Sequence, residues 1–164
     1  MRAVALPLLG FALLAGCGDK SAGNASGGAP SASASASAPA ACSVLTEADA
    51  EKALGHKVKK LPATGGAGGF DICQYGWEGE HIADTGNVSV TVHANPLSDF
   101  RKSVGASGMA MEPVAGVGDG AFWTPAGLYV GKGSRTGLYI IGGAGIADQK
   151  AAAVALAKAT VDRL

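Results

Sequence analysis

Charge of either sign is scarce in this chain of 164 residues: only 16% of positions are Asp, Glu, Lys or Arg, and 13 cations balance 13 anions. A strongly basic balance marks partners such as nucleic acid or anionic lipid, and a strongly acidic one marks cationic partners. Neither is indicated, and no nucleic-acid partner is expected. Long hydrophobic runs are missing too. The apolar stretch from Ala3 to Ala15 ends before Gly18, Asp19 and Lys20 make the chain polar, well short of the about 20 residues a membrane-spanning helix needs.

Signatures of catalysis are equally scarce. A serine-hydrolase elbow requires G-x-S-x-G, and Gly105-Ala-Ser-Gly-Met109 fails at its last position. No S-x-x-K occurs. His56, His81 and His93 are too scattered for a recognisable metal set, and Glu78, Glu80, His81 and Asp84 read as a solvated loop. Gly142-Gly-Ala-Gly145 lies where a dinucleotide loop would, but Asp148 stands in place of the third glycine and no repeated strand-helix-strand pattern surrounds it. Gly116-Val-Gly-Asp-Gly120 lacks the Lys and Ser/Thr of a phosphate loop and reads as a tight turn. No catalytic residue, metal or cofactor is expected, and the chain reads as a protein that is not an enzyme.

What is present begins with an address. Arg2 followed by the short apolar run to Ala15 is the charged start and hydrophobic centre of a signal peptide over residues 1–16. Leu14-Ala15-Gly16-Cys17 resembles the bacterial lipoprotein signal: an aliphatic residue, two small ones, then cysteine. That resemblance implies a diacylglyceryl thioether on Cys17, cleavage of the Gly16–Cys17 bond and acylation of the new amino terminus. Each buried methylene contributes about 0.8 kcal/mol, so two or three acyl chains hold firmly where one does not. Gly18, rather than aspartate, follows the cysteine. The expected location is therefore the cell envelope, with the outer membrane facing the periplasm favoured over the inner membrane or the cell surface.

Residues 17–41 then form the lipidated cysteine and a linker of Ser, Ala, Gly and Pro, including the alternating run Ser31 to Ala38. Lacking large apolar side chains, it cannot offset the entropy of ordering and is expected to be disordered. Loss of Arg2 with the signal leaves 12 cations against 13 anions, a formal charge of about −1.

Residues 42–164 suffice for one core and are short for two. Thr46 with Asp49 three residues on is a capping box, and Gly55 is placed to end the helix, which predicts a helix over 46–54. Strands are expected at 56–61 and 70–77. The clearest is Val88 to Ala94, where Val88, Val90, Val92 and Ala94 share one face and Ser89, Thr91 and His93 the other. Ser98 reads as the cap of a short helix carrying Phe100 and Val104, broken by Gly105 and Gly108. Extended pieces follow near 112–114, 121–123, 128–131 and 138–141, with Ser134 to Gly137 as a hairpin turn. Asp148 begins a last helix with Val154, Ala157, Val161 and Leu164 in a stripe. Strands clustered between helices predict an α+β domain with a mostly antiparallel sheet covered on one face by helices. The two halves share an element order without a residue-level repeat. Adjacent strand residues point to opposite faces, so Phe122 and Trp123 cannot both enter one core; cover by a helix or loop is favoured over an exposed contact patch.

With Cys17 lipidated, Cys42 and Cys73 remain as an even pair in an oxidising compartment, for which a disulfide is the default; two reduced thiols or half a metal site is the rival reading. The chain also carries Cys42-Ser-Val-Leu-Thr-Glu-Ala-Asp-Ala-Glu-Lys-Ala-Leu-Gly55, Cys73-Gln-Tyr75, Val117-Gly-Asp-Gly-Ala-Phe-Trp123 and Val130-Gly-Lys-Gly133. These resemble a widespread group of uncharacterised bacterial lipoproteins with a Cys, Leu-Thr, Leu-Gly opening, a second cysteine before an aromatic, and a Val-Gly-Asp-x-Ala segment. The resemblance implies an envelope location and a compact domain, and it supplies no catalytic residue. The role expected is a non-enzymatic binding or interaction domain, held to the membrane by its lipid and engaging another envelope protein, a cell-wall component or a small molecule. An enzyme with an unrecognised site and a structural spacer are the alternatives.

Overall fold

Residues 40–62, 69–81 and 84–164 are described by the structure, a computed structural model. Cys17, residues 1–16 expected as a signal peptide, and nearly all of the segment expected as a linker lie outside them. Two short helices come first, α1 (Ala41–Val44) and α2 (Glu47–Leu54), then the strands β1 (Lys59–Lys60), β2 (Phe70–Trp77) and β3 (Gly86–His93). A third helix, α3 (Leu97–Ala106), leads to β4 (Glu112–Val114), β5 (Gly120–Thr124), β6 (Gly127–Lys132) and β7 (Arg135–Gly143). The chain closes with α4 (Gln149–Thr160) and a 3-10 turn, Val161–Arg163.

All seven strands form one sheet in the order β1-β2-β3-β7-β6-β5-β4, and every neighbouring pair is antiparallel. Two meanders thus join edge to edge where β3 pairs with β7. Alternation fixes the register, because a slip by one residue would turn the valines of β3 to the wrong face. Val88, Val90 and Val92 are fully buried. Cys73 and Tyr139 pair with Val90 from either side, and Leu128 pairs with Tyr139. On this face α1, α2, α4 and the final turn close the core. Ala153, Leu156, Ala157, Val161 and Leu164 are buried there, while Val154 is only half-buried. Each buried aliphatic side chain contributes roughly 1.5–3 kcal/mol, so the layer between helices and sheet is the main source of stability. The α+β class, the antiparallel sheet and the helical cover stand as the sequence predicts.

The caps of α2 and α4 also form as read. Thr46 and Asp49 bond reciprocally, Gly55 ends α2 in the left-handed region at φ 71°, and Asp148 accepts from the Ala151 N–H at 2.8 Å.

Other local expectations change. Ala41, assigned to the linker, is buried, and its N–H donates to the Asp71 carboxylate at 2.6 Å, so the folded part includes it. The strand over 56–61 shrinks to Lys59–Lys60, because β1 reaches only the Tyr75–Gly76 end of β2. Pro96, not Ser98, precedes α3; its φ of −70° suits a helix start, and Ser98 makes no capping bond. Gly105 stays helical, and Gly108, at φ 72°, ends the segment. The last hairpin turns through Gly133 and Ser134, so that Lys132 pairs with Arg135 and residues 135–137 belong to β7. A glycine with positive φ (58°) at the first turn position is what a two-residue hairpin favours.

Phe122 and Trp123 divide as strand geometry demands. Trp123 packs half-buried against the helix-covered core, and Phe122, 2% exposed, lies on the opposite face. There α3 shields it. Leu97 rests over Gly120 and Gly131, and Phe100 reaches His93 and Tyr129.

Candidate functional site

At the far end of the sheet from His93, strand register places Trp77, Gly86 and Gly143 in one row across β2, β3 and β7. The indole lies flat over the two glycines. A Cβ at Gly86 would overlap the ring, and one at Gly143 would stand 2.8 Å from it. Cross-strand pairing of an aromatic with glycine lets the ring cover backbone that has no side chain of its own. The other face of Trp77 meets His56, whose imidazole stacks at 5.0 Å with an interplanar angle of 7°. Trp77 is therefore only 6% exposed, while His56 itself is exposed.

Two grooves lie at this end of the sheet, one on each face. The larger, about 580 Å3, is lined by Lys57, Lys59, Leu61, Glu78, Thr85 and Asn87 around Gly76, on the face of the sheet away from the indole. The second, about 520 Å3, adjoins the stack and is bounded by His56, Lys57, Trp77, Glu78, Asp84 and Gly145. Both volumes fall in the range of small-molecule sites, about 300–1,000 Å3. Glycine keeps the floor low, since a side chain at Gly76 would press on Leu61 at 2.9 Å.

Local chemistry holds the rim in place. Gly55 ends α2 and releases His56 and Lys57 toward the groove. Lys57 pairs with Glu51 at 2.9 Å, and that hydrogen bond holds its ammonium pKa above the ordinary value. Gly79 donates to the Asp84 carbonyl at 3.0 Å and Ala144 to that of Thr85 at 3.1 Å, which fix the hairpin end beside Trp77. Glu78, Glu80, His81 and Asp84 are exposed, in keeping with a solvated loop.

The three histidines are not brought together. His56 stacks on Trp77, and His81 sits in the β2–β3 connection. His93 lies on the opposite face between Phe70 and Phe100, at centroid distances of 5.6 and 4.6 Å. Burial lowers the pKa of His93 and raises that of Tyr129 nearby, which keeps both neutral in an aromatic tier that continues to Phe122. Tyr139 shares a hydrogen bond with Thr160 at 3.0 Å, and burial pushes its pKa up to about 12. Among the described residues no three of His, Cys, Asp and Glu are grouped to hold a metal, and no helix is long and apolar enough to cross a membrane.

Of the residues singled out in the sequence, Cys42 and Cys73 are joined as a disulfide, with Cα atoms 4.9 Å apart. It fastens α1 to β2. Gly142 and Gly143 end β7, Ala144 and Gly145 turn the chain toward α4, and Gly116 to Asp119 form the connection into β5, which Gly120 begins. The Trp77 groove is not legible as a motif. Its only sequence signal is a tryptophan whose cross-strand partner is glycine, and that partnership depends on knowing the register. Comparison with known proteins finds no matching family model, no matching curated protein and no matching solved structure.

Proposed function

We propose that this chain is a lipid-anchored protein of the bacterial cell envelope, tethered through Cys17, whose folded domain binds a ligand without transforming it. The lipoprotein signal in the sequence supports the tether, as does the Ser/Ala/Gly/Pro composition of the linker. The observation that carries the binding role is the Trp77 groove. It combines an aromatic ring seated on glycines with an adjoining groove of about 520 Å3, a volume suited to a small molecule, and a rim that includes His56, Lys57, Glu78 and Asp84. Binding rather than catalysis is favoured because Lys57, the shifted group on the rim, is held charged by its ion pair with Glu51, while Tyr75, His93, Tyr129 and Tyr139, which burial shifts away from their charged forms, do not line the groove. The likeness to the uncharacterised lipoprotein group belongs to the same proposal, as does placement on the periplasmic side of the outer membrane.

Two measurements test it. Intact mass of the membrane fraction is expected to show loss of residues 1–16 and added acyl mass on Cys17; a Cys17→Ala variant that still pellets with membranes through its own chain would refute the anchor. Photo-crosslinkers placed at Glu78 and Asp84 in intact cells are expected to form adducts that a crosslinker at Lys158, on α4, does not. Equal labelling at all three positions would remove the groove as the binding site.

A further inference from the structure

We propose that the sheet face left free by α1, α2 and α4 pairs with the same face of a second copy of this chain. Strand register decides what that face carries. On β3 it holds Ser89 and Thr91, on β2 Ile72 and Gln74, and on β7 Leu138 and Ile140. None of these six is buried, and Ile140 is 38% exposed. No Asp, Glu, Lys or Arg lies on this face from β2 through β5. His93, at the end beneath α3, is kept neutral by burial. Exposed charges stand elsewhere, as at Lys52 on α2, Arg101 and Lys102 on α3 and Lys158 on α4. Depletion of charge around half-exposed Ile and Leu is the composition of an interface core.

The same neutrality selects the occupant. A charged partner would leave its charges unpaired against this face, whereas a second copy brings none. A hydroxyl both donates and accepts, so Ser89 and Thr91 can each bond their own counterparts across a symmetric contact. Antiparallel sheets pack face to face about 10 Å apart with strands nearly aligned. A two-fold axis along β3 then sets β3 on β3 and exchanges β2 with β7. Ile72 meets Leu138 of the second copy, and Leu61 comes over Gly127, toward which Leu138 and Ile140 already lean. Gly76 faces Gly142 of the second copy, so the larger groove is roofed by it. On the α3 side the second copy contributes only β2 and β1, which reach as far as β6, and α3 flanks the pair.

From β1 to β6 the shared strip is roughly 20 Å wide and 14 Å long, taking usual strand spacing and rise. That is small beside the about 800 Å2 per partner of a standard interface, so the pair is weak in dilute solution. Copies anchored in one bilayer meet at a far higher effective concentration. This last step rests on the tether proposed through Cys17; the complementarity of the face does not.

The test is photo-crosslinking of the full chain in intact cells. A crosslinker at Thr91 is expected to give an adduct of twice the chain's mass, with the linked peptide of the second copy drawn from β2, β3 or β7. One at Lys158 is expected to give none. Ser89→Glu sets two carboxylates against each other on the axis, and Ile140→Glu adds charge at a position already exposed. Each is expected to lower the doubled adduct at least tenfold, because like charges meet. Lys158→Glu, a larger change of charge on the other face, is expected to leave it unchanged. The melting temperature of each purified variant reports its fold, and the mapped peptide of the parent adduct decides independently of any variant. A doubled adduct undiminished in well-folded glutamate variants would overturn the proposal, as would equal doubling from Lys158. Thr91 adducts to lipid or to another protein alone would give the face a different occupant and refute the second copy. If the chain does not pellet with membranes yet the doubled adduct forms, the anchor falls and the surface stands. If no doubled adduct forms, the surface falls whether or not the chain pellets.

Discussion

Arg163 pairs with Asp49 across 114 residues and fastens the final turn of the chain to the cap of α2. Asp49 also accepts from the Thr46 hydroxyl and N–H, and Arg163 donates from Nε to the Val44 carbonyl at 2.9 Å. One carboxylate thus completes a helix cap and joins the first and last helical elements.

Replacing Asp49 by alanine is expected to lower stability by about 1–2 kcal/mol, chiefly through the cap. The ion pair adds less, because both side chains are partly solvated. Asp49→Asn, which can still accept at the cap, is expected to lose only part of this. Urea unfolding checks the order: parent, then Asn, then Ala. An alanine variant with the parent's midpoint would show that the cap contributes nothing.

The Cys42–Cys73 bond closes a separation of 31 residues and pins α1, a helix too short to persist alone, onto β2. Changing both to alanine is expected to cost about 2–4 kcal/mol on the chain-entropy account. The fold should remain, as should the membrane attachment proposed through Cys17. Ready thiol labelling of both cysteines in freshly isolated, non-reduced protein would contradict this.

Much of this fold was legible because its signals are local. Val88, Val90 and Val92 announce a half-buried strand, Thr46 with Asp49 a helix start, and Asp148 another. The elements that escaped depend on distant partners. Four-residue α1 forms where Asp71 meets the Ala41 N–H and Cys42 meets Cys73. The short β1 reflects where β2 offers an edge, and α3 begins early because Leu97 finds Gly120 and Gly131 beneath it. The candidate site escaped for the same reason. His56, Trp77, Gly86 and Gly143 come from four separate segments, and only register and packing bring them together.

His93 makes the opposite face sensitive to pH. Burial among Phe70, Phe100 and Tyr129, with Arg101 of α3 lying over the adjoining Phe122, lowers its pKa from 6.5 in the folded state. Above about pH 6.5 the ring is neutral whether folded or unfolded, and its contribution is complete. As pH falls below that value the unfolded chain takes up the proton first, so this contribution declines down to the folded-state pKa. His93→Phe keeps a ring in the tier but cannot titrate. The stability difference between parent and variant, followed from pH 8 to pH 5, should shift in the variant's favour only below about 6.5. A difference independent of pH would show that burial does not disfavour the charged ring.

Gly86 is the position on which the groove depends most directly. It pairs with Trp77, and the space its side chain would fill is occupied by the indole. In Gly86→Ala the ring has no room to tilt inward, because Gly143 and the Thr85 carbonyl close that side and a Cβ at 143 would already stand 2.7 Å from that oxygen. The indole must therefore swing outward, against His56, and expose itself. Overpacking of this kind costs about 1–3 kcal/mol. Gly142, one residue along β7, has open space where a Cβ would go, its nearest atom being the Gln149 amide at 4.0 Å. Gly142→Ala is therefore the matched control and is expected to be close to neutral. In a Trp123→Phe background, where Trp77 alone reports, Gly86→Ala should shift tryptophan emission to the red and lower the melting temperature, and Gly142→Ala should do neither. Equal effects of the two substitutions would mean that the sheet end responds to added bulk in general, and that Trp77 is not held by a glycine floor.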